Sequence, residues 1–308
     1  MQSGSLAWRT LDAIYEPSAI VQLADGRFLV VEDEKAHPFC LFSLDGEGHV
    51  VDRRSLTPGW FDFNDRFWKL DDLEGLALND QGWIYAVTSQ SLDGDGERKK
   101  SREKFVRFRI EGERIVDAGV SSGLKDALVA AHPVLEVAAR VVDVKGAGGL
   151  NIEAMDSRAG GQHVLIGLRG PLLDGRALIA CVENPEEIFE AGETPRIGAK
   201  LAALDLGGGG VRGMSWIPGL SGHLLISGPV SRERGPFRLW LWSGRAEDPA
   251  LPVSIPDLPD IAHAEGVCPA RIAGRQQIIL VSDDGDRKAG RCARHALIDL
   301  DRLRIGGP

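Results

Sequence analysis

The sequence has little cysteine, few aromatic residues, no basic excess and no long apolar run. Each shortage removes a class of protein. Four cysteines (Cys40, Cys181, Cys268, Cys292) are scattered over 308 residues without C-x-x-C spacing. That argues against a zinc ribbon or dithiol redox motif, and for reduced thiols in a cytoplasmic protein. No stretch approaches the roughly 20 apolar residues of a membrane-spanning helix. The first twenty residues carry Arg9, Asp12 and Glu16 with no apolar segment, so no secretory signal is read. There are 36 Lys+Arg against 45 Asp+Glu, a net charge of −9. Nucleic acids and anionic membranes both demand a cationic surface, so neither is expected as a partner. Aromatics make up only 6% of the chain, yet 43% of it is hydrophobic, which is ample for a packed core.

Long helical periodicity is also missing. In its place stand short apolar runs between Asp/Gly turns, such as 28-FLVVED-33, 83-WIYAVTS-89, 164-VLIGLR-169 and 278-IILVSD-283. This is the pattern of strands. Only 124-LKDALVAAHPVLEVAARV-141 has apolar residues recurring at three and four, interrupted by Pro133. It predicts one helix or two short ones inserted in a β protein.

The runs repeat. Five copies of a strand–turn–strand unit begin near residues 16, 72, 151, 210 and 263. Counted from Ser18, Glu74, Glu153, Arg212 and Glu265, the intervals are 56, 79, 59 and 53, and the return to Ser18 takes 61. The helical insert occupies the long interval. Radial repetition of antiparallel units predicts a single β-propeller over residues 1–308. Five blades are expected; six are the alternative if 178-LIACVEN-184 and 200-KLAALDL-206 belong to separate sheets. The segment 5-SLAWRTL-11 is placed to supply the outermost strand of the last blade.

In a propeller the first strand of each blade lines the channel, and its opening residues crowd one mouth. Residues at i and i+2 of a strand share a face. Five pairs are therefore expected together: Glu16/Ser18, Asp72/Glu74, Asn151/Glu153, Gly210/Arg212 and His263/Glu265. Converging carboxylates repel unless a cation, a proton or an arginine offsets them. Oxygen and imidazole donors without thiolates suit a hard divalent ion, with Ca²⁺ ahead of Mg²⁺ and Mn²⁺. Glu74, Glu153, Glu265, Asn151 and Asp72 are the candidate ligands. The bland alternative is a hydrogen-bonded network tying the blades, with Arg212 pairing two glutamates and no metal.

The string D-x-E-G-L-A before W-I-Y-A-V-T-S, with N-I-E-A-M and H-A-E-G-V, resembles the bacterial "domain of unknown function 3616" propellers. It is also similar to the neighbouring esterase-like or phytase-like family, and more distantly to gluconolactonase and regucalcin-type propellers. In the last group an E-G motif supplies a metal-binding carboxylate. That resemblance implies the same role for Glu74, Glu153 and Glu265, with Asn151 as an amide ligand. Two departures stand out: no Pro-x-Trp follows the motif, and Arg212 projects where those enzymes have no arginine.

Two functions follow. The first is a metal-dependent hydrolase of a small anionic ester, lactone or phosphoester, with His263 as base and Arg212 binding the developing negative charge. The second is a non-enzymatic propeller that binds a ligand or a protein partner around a structural ionic channel. Among lesser features, 93-DGDGE-97 reads as a solvated turn rather than a calcium loop. The basic run Arg98, Lys99, Lys100, Arg102, Lys104 reads as a solvated loop that would place cations beside the carboxylates if it folded over the mouth. Asp283 and Asp284 read as turn residues, with a role at the opposite mouth as the alternative. His37, His49, His132, His163, His223 and His295 are assigned to turns and strands.

Overall fold

Short apolar strands joined by tight turns form meanders, and here the meanders close on themselves. The computed structural model describes residues 6–32, 37–59, 65–157, 162–232, 235–258 and 260–306. After β1 (Arg9–Thr10), the first blade comprises β2 (Pro17–Gln22), β3 (Phe28–Glu32), β4 (Phe39–Leu44) and β5 (Val50–Ser55). The short helix α1 (Asp65–Trp68) leads to β6 (Leu73–Leu78), β7 (Ile84–Thr88), β8 (Phe105–Glu111) and β9 (Arg114–Ser121). The insert then forms α2 (Leu124–Ala131), α3 (Pro133–Ala138) and α4 (Val144–Ala147). Pro133 opens α3 because its fixed φ and missing N–H suit a first turn and not a helix interior.

Blade three contains β10 (Asn151–Ser157), β11 (Val164–Gly170), β12 (Ala177–Val182) and, beyond α5 (Pro185–Glu190), β13 (Ala202–Leu204). The segments near 178 and 200 thus share one sheet, and the blades number five. Blade four has β14 (Gly210–Ile217), β15 (Gly222–Gly228), β16 (Arg238–Trp242) and β17 (Leu251–Ser254). Blade five has β18 (Ala264–Ile272), β19 (Arg275–Ser282) and β20 (Arg294–Asp299).

Closure uses both ends of the chain. β1 pairs with β20 as the outer strand of blade five, Arg9 opposite His295. This is the role expected of 5-SLAWRTL-11, whose Ser5 lies outside the described residues. A last strand, β21 (Arg304–Ile305), pairs with β17 and widens blade four. The innermost strands adjoin in the order β2, β6, β10, β14, β18 and back to β2.

Apolar faces of neighbouring blades bury one another, and each of the five interfaces has its own cluster. Between blades one and two, Phe39, Phe67 and Phe108 pack with ring centroids 4.9 to 5.7 Å apart. Leu124, Leu128 and Leu135 of the insert seal the interface of blades two and three. Such burial is worth about 1.5–3 kcal/mol per large side chain, so apolar contact rather than channel charge carries the ring. Among the described residues no helix is long and apolar enough to cross a membrane.

Candidate functional site at the near mouth of the channel

The ring of polar residues owes its position to a repeated backbone irregularity. In each inner hairpin the register skips one residue of the inner strand: Ser18, Glu74, Glu153, Arg212 and Glu265. Each is the extra residue of a β-bulge, a device that turns a side chain out of the pleat. The five bulges lie at equivalent places, so all five side chains are buried at one mouth. The residue after the bulge is always small: Ala19, Gly75, Ala154, Gly213 or Gly266. A Cβ on Gly213 would stand 2.1 Å from the Glu265 carbonyl of the next inner strand. The E-G and E-A motifs are therefore partly steric. The glutamate fills the bulge and the small residue lets the next blade approach.

Arg212 sits among the carboxylates. Its Nε lies 2.8 Å from Glu153 Oε2, and its Nη2 is in contact with Glu265 Oε1. Arg169, at the end of β11, donates from Nη1 to Glu153 Oε1 at 2.9 Å, and Asn151 Nδ2 donates to the same oxygen at 2.8 Å. Arg169 is anchored in turn by the Pro229 carbonyl, 3.1 Å from its Nε. Blades three, four and five are thus joined by one ionic network. Burial pulls the Arg212 pKa below the ordinary arginine value, while Glu153 and Glu74 pull it upward. The pairing of two glutamates by Arg212, expected as the alternative to a metal, is what the structure shows for Glu153 and Glu265.

Asn151 stays beside its pair-mate Glu153, but two other first members, Asp72 and His263, leave the ring, because each has a positive φ (62° and 64°). Asp72 turns toward the loop of blade two. Its Oδ2 accepts from Arg102 Nη1 at 3.0 Å and Ser91 Oγ at 3.3 Å. The basic run therefore does place one cation beside the carboxylates, through Arg102, which also holds Asp71 at 3.0 Å. Other members are engaged locally: Arg98 by Glu103 and Asp126, Lys99 by Asp93. Lys99 and backbone amides hold Asp93 at about 2, which makes 93-DGDGE-97 a self-capped turn. His263 is exposed at the rim, its ring 5.8 Å from Phe237.

Asp283 corrects the sequence reading. It lies at this mouth and not at the opposite one, because β19 runs antiparallel to β18 and ends beside its start. The Asp283 amide donates to the His263 carbonyl at 2.7 Å. Burial raises its pKa to about 6, Arg212 opposing and Glu16 and Glu153 reinforcing the shift. Arg169, which sequence reasoning did not single out, and Asp283 both end second strands. The signal was available, since each second strand runs back to the mouth where its inner partner begins, and polar residues such as Arg169 and Asp283 stand at or just past its end.

The donor set does not fit a divalent ion. Both oxygens of Glu153 already face guanidinium groups, Glu265 faces one, and Asp72 is held by Arg102. Among the described residues no three His, Cys, Asp or Glu side chains stand close enough to share an ion. A guanidinium at the centre would repel a second cation. Beside the ring, a cavity of about 410 Å³ lies between the blade-two loop and the insert, lined by Asp72, Ser91, Arg102, Asp143 and Arg232. At the far mouth a cavity of about 360 Å³ is lined by Gln22, Asp80, Asp156, Ser215 and Trp216. There Asp156 Oδ2 lies 2.8 Å from His223 Nδ1, joining blades three and four.

A family model described as "Protein of unknown function (DUF3616)" matches residues 133–299, more than half of the chain. No curated protein matches it. Among solved structures, a putative oxidoreductase (glucose dehydrogenase) from Thermus thermophilus is similar over 95% of this chain and 100% of its own, at 16% identity and a TM-score of 0.43. The holo PQQ domain of pyranose dehydrogenase from Coprinopsis cinerea is similar over 95% and 97%, at 9% identity and a TM-score of 0.40. TolB from Acinetobacter baumannii is similar over 94% and 56%, at 13% identity and a TM-score of 0.39. None of these likenesses assigns a function.

Proposed function

The chain belongs to the DUF3616 family of proteins of unknown function, and from that premise we propose that it is a ligand-binding propeller. An ionic ring fixes its inner strands, and a small molecule seats at the near mouth above them. The observation that carries this reading is Arg212 between Glu153 and Glu265. A cation covalently part of the chain replaces the ion that a carboxylate ring would otherwise recruit. The seat is the cavity beside the ring, between the blade-two loop and the insert, lined by Asp72, Ser91, Arg102, Asp143 and Arg232. Four free thiols support a reducing, cytoplasmic setting as part of the same reading.

Elemental analysis of the purified protein, with melting curves in and out of chelator, tests it. No stoichiometric divalent ion and an unchanged melting temperature are expected. A bound ion lost in Glu153→Ala and Glu265→Ala would replace this reading with the metal-dependent hydrolase.

One observation favours a second reading, hydrolysis of a small ester, lactone or phosphoester without metal. Asp283, with a pKa raised to about 6, is poised to exchange a proton near neutrality. An esterase, lactonase and phosphatase screen separates the two. Turnover abolished by Asp283→Asn would establish the enzyme; silence leaves the binding reading in place.

A further inference from the structure

We propose that the far mouth of the channel is a second binding site, and that its ligand is a neutral sugar. The site is one cavity of about 360 Å³, within the range of small-molecule pockets. Val21, Leu78, Asp156, Ser215 and Pro269 line it, one from each of the inner strands β2, β6, β10, β14 and β18. Since all five contribute, the cavity lies on the axis of the ring. Arg169 and Arg212, which occupy the near mouth, do not line it.

The charges on its wall disfavour an ion of either sign. Asp80 and Asp156 are the charged side chains of the lining, with no lysine or arginine beside them. An anion would meet carboxylates there without a counter-charge. A cation would find both carboxylates already partnered. Asp156 Oδ1 accepts from the Ser157 amide at 2.9 Å, its Oδ2 lies 2.8 Å from His223 Nδ1, and Asp80 has a partner of its own. A carboxylate has about four lone-pair sites, so Asp156 still accepts from a hydroxyl that brings no charge.

The unpaired polar groups point to hydroxyls. Ser215 is 8% exposed, and among the described residues its Oγ makes no hydrogen bond. The indole N–H of Trp216, on the same wall, donates to no protein group among them. A second cavity of about 450 Å³ continues from the first and shares Gln22, Pro218 and Pro269 with it. Gln277 lines this extension and is 5% exposed. Its Nε2 donates to Asp299 Oδ1 at 2.9 Å, while its buried Oε1 has no partner. One connected space is thus lined by a donor (Trp216), acceptors (Asp156 and Gln277) and a group that is both (Ser215). A ligand hydroxyl also donates and accepts, and so answers all of them. Buried polar groups left unpaired cost stability until it does. Trp216 is half-buried and shares the wall with Pro218 and Pro269. That apolar stretch suits the C–H face of a sugar ring, whose slight positive charge is drawn to the aromatic face. Hydroxyls around the edge of a ring and C–H groups on its face are what set a sugar apart from other neutral molecules.

Isothermal titration of the full chain with glucose, galactose and mannose, each up to about 10 mM, is the test. For the sugar that binds, the matching uronate serves as anionic counterpart and the 2-amino sugar as cationic counterpart. Cyclohexanol supplies a ring with a single hydroxyl. Saturable binding of at least one neutral sugar is expected, with its uronate and cyclohexanol weaker by about tenfold or more. Trp216→Leu is expected to weaken that sugar about tenfold and Ser215→Ala about threefold. Trp216→Phe keeps a ring and loses the N–H, for an expected loss of about threefold, and decides the matter if the leucine variant fails to fold. Absence of saturation by all three sugars would overturn the proposal, as would a uronate or amino sugar that binds more tightly than its neutral parent. Sugar binding that is unchanged in both Ser215→Ala and Trp216→Phe would also overturn it, by placing the sugar elsewhere on the molecule. The near-mouth reading is independent of these outcomes, since it is tested by the metal analysis.

Discussion

The two mouths of the channel are built from the same inner strands, yet only one is crowded with charge. At the near mouth each inner strand carries a bulge, and the five bulges bury Ser18, Glu74, Glu153, Arg212 and Glu265. At the far mouth the pairing of the inner strands runs on without a further register shift. There Asp156 and His223 form a buried hydrogen-bonded pair, with the His223 ring 5.1 Å from Trp216 and 5.7 Å from Trp242. The difference teaches that charge enters this channel where the backbone leaves the pleat. A regular strand sends alternate residues into the apolar clusters between blades, whereas a bulged residue has no partner across the ladder and is free to face the axis.

Breaking the near ring has the largest expected effect. Arg212→Ala leaves Glu153 and Glu265 buried beside one another with a single cation, Arg169, and costs about 3–5 kcal/mol by denaturant titration. The matching cut at the far mouth, His223→Gln, leaves Asp156 still accepting from the Ser157 amide at 2.9 Å, and about 1–2 kcal/mol is expected. Equal losses would mean that the two mouths do not differ in the way described.

Next comes the steric half of the motif. Gly213→Ala drives a Cβ to 2.1 Å from the Glu265 carbonyl, whereas at Gly75 the nearest atoms are side-chain atoms of Val87 and Met155 at 2.9 and 3.0 Å. The first substitution is expected to cost about 2–3 kcal/mol and the second about half that, because a backbone cannot step aside as a side chain can. A harmless Gly213→Ala would refute close approach of the blades as the reason for the small residue.

The smallest effect carries the opposite sign. Asp283 binds its proton more tightly in the folded protein, about 6 against an ordinary 3.8. Between those values the folded state holds more protons than the unfolded chain, so stability falls as pH rises through this window. Asp283→Asn is therefore expected to stabilise the protein by about 1 kcal/mol at pH 7.5 and to do nothing below pH 4, as read from melting curves. A destabilised Asp283→Asn at pH 7.5 would place this residue among the structural members of the ring.

Much of the architecture was legible because it repeats. Five copies of one unit, a helical insert in the longest interval and a closing segment at residues 5–11 follow from apolar spacing alone. Burying one face of each unit demands a neighbour on both sides. The candidate ring was legible for the same reason: Glu74, Glu153, Glu265 and Arg212 occupy one place in the repeat. What the one-dimensional pattern hid was which of two readings of that ring applies. Arg169 and Asp283 lie sixteen and eighteen residues beyond the bulge they face, on the second strand of each hairpin. Only antiparallel pairing brings them to the mouth, as it separates Asp72 from Glu74 by turning one outward.

By itself, the sequence determined the fold class, the blade repeat and the residue types that meet at the channel, since periodicity and turn chemistry are local and additive along the chain. Tertiary structure alone decided the partners. Whether a glutamate meets an arginine, a metal ion or another carboxylate depends on distances of a few ångströms between blades far apart in sequence, and buried electrostatics changes sign over such distances.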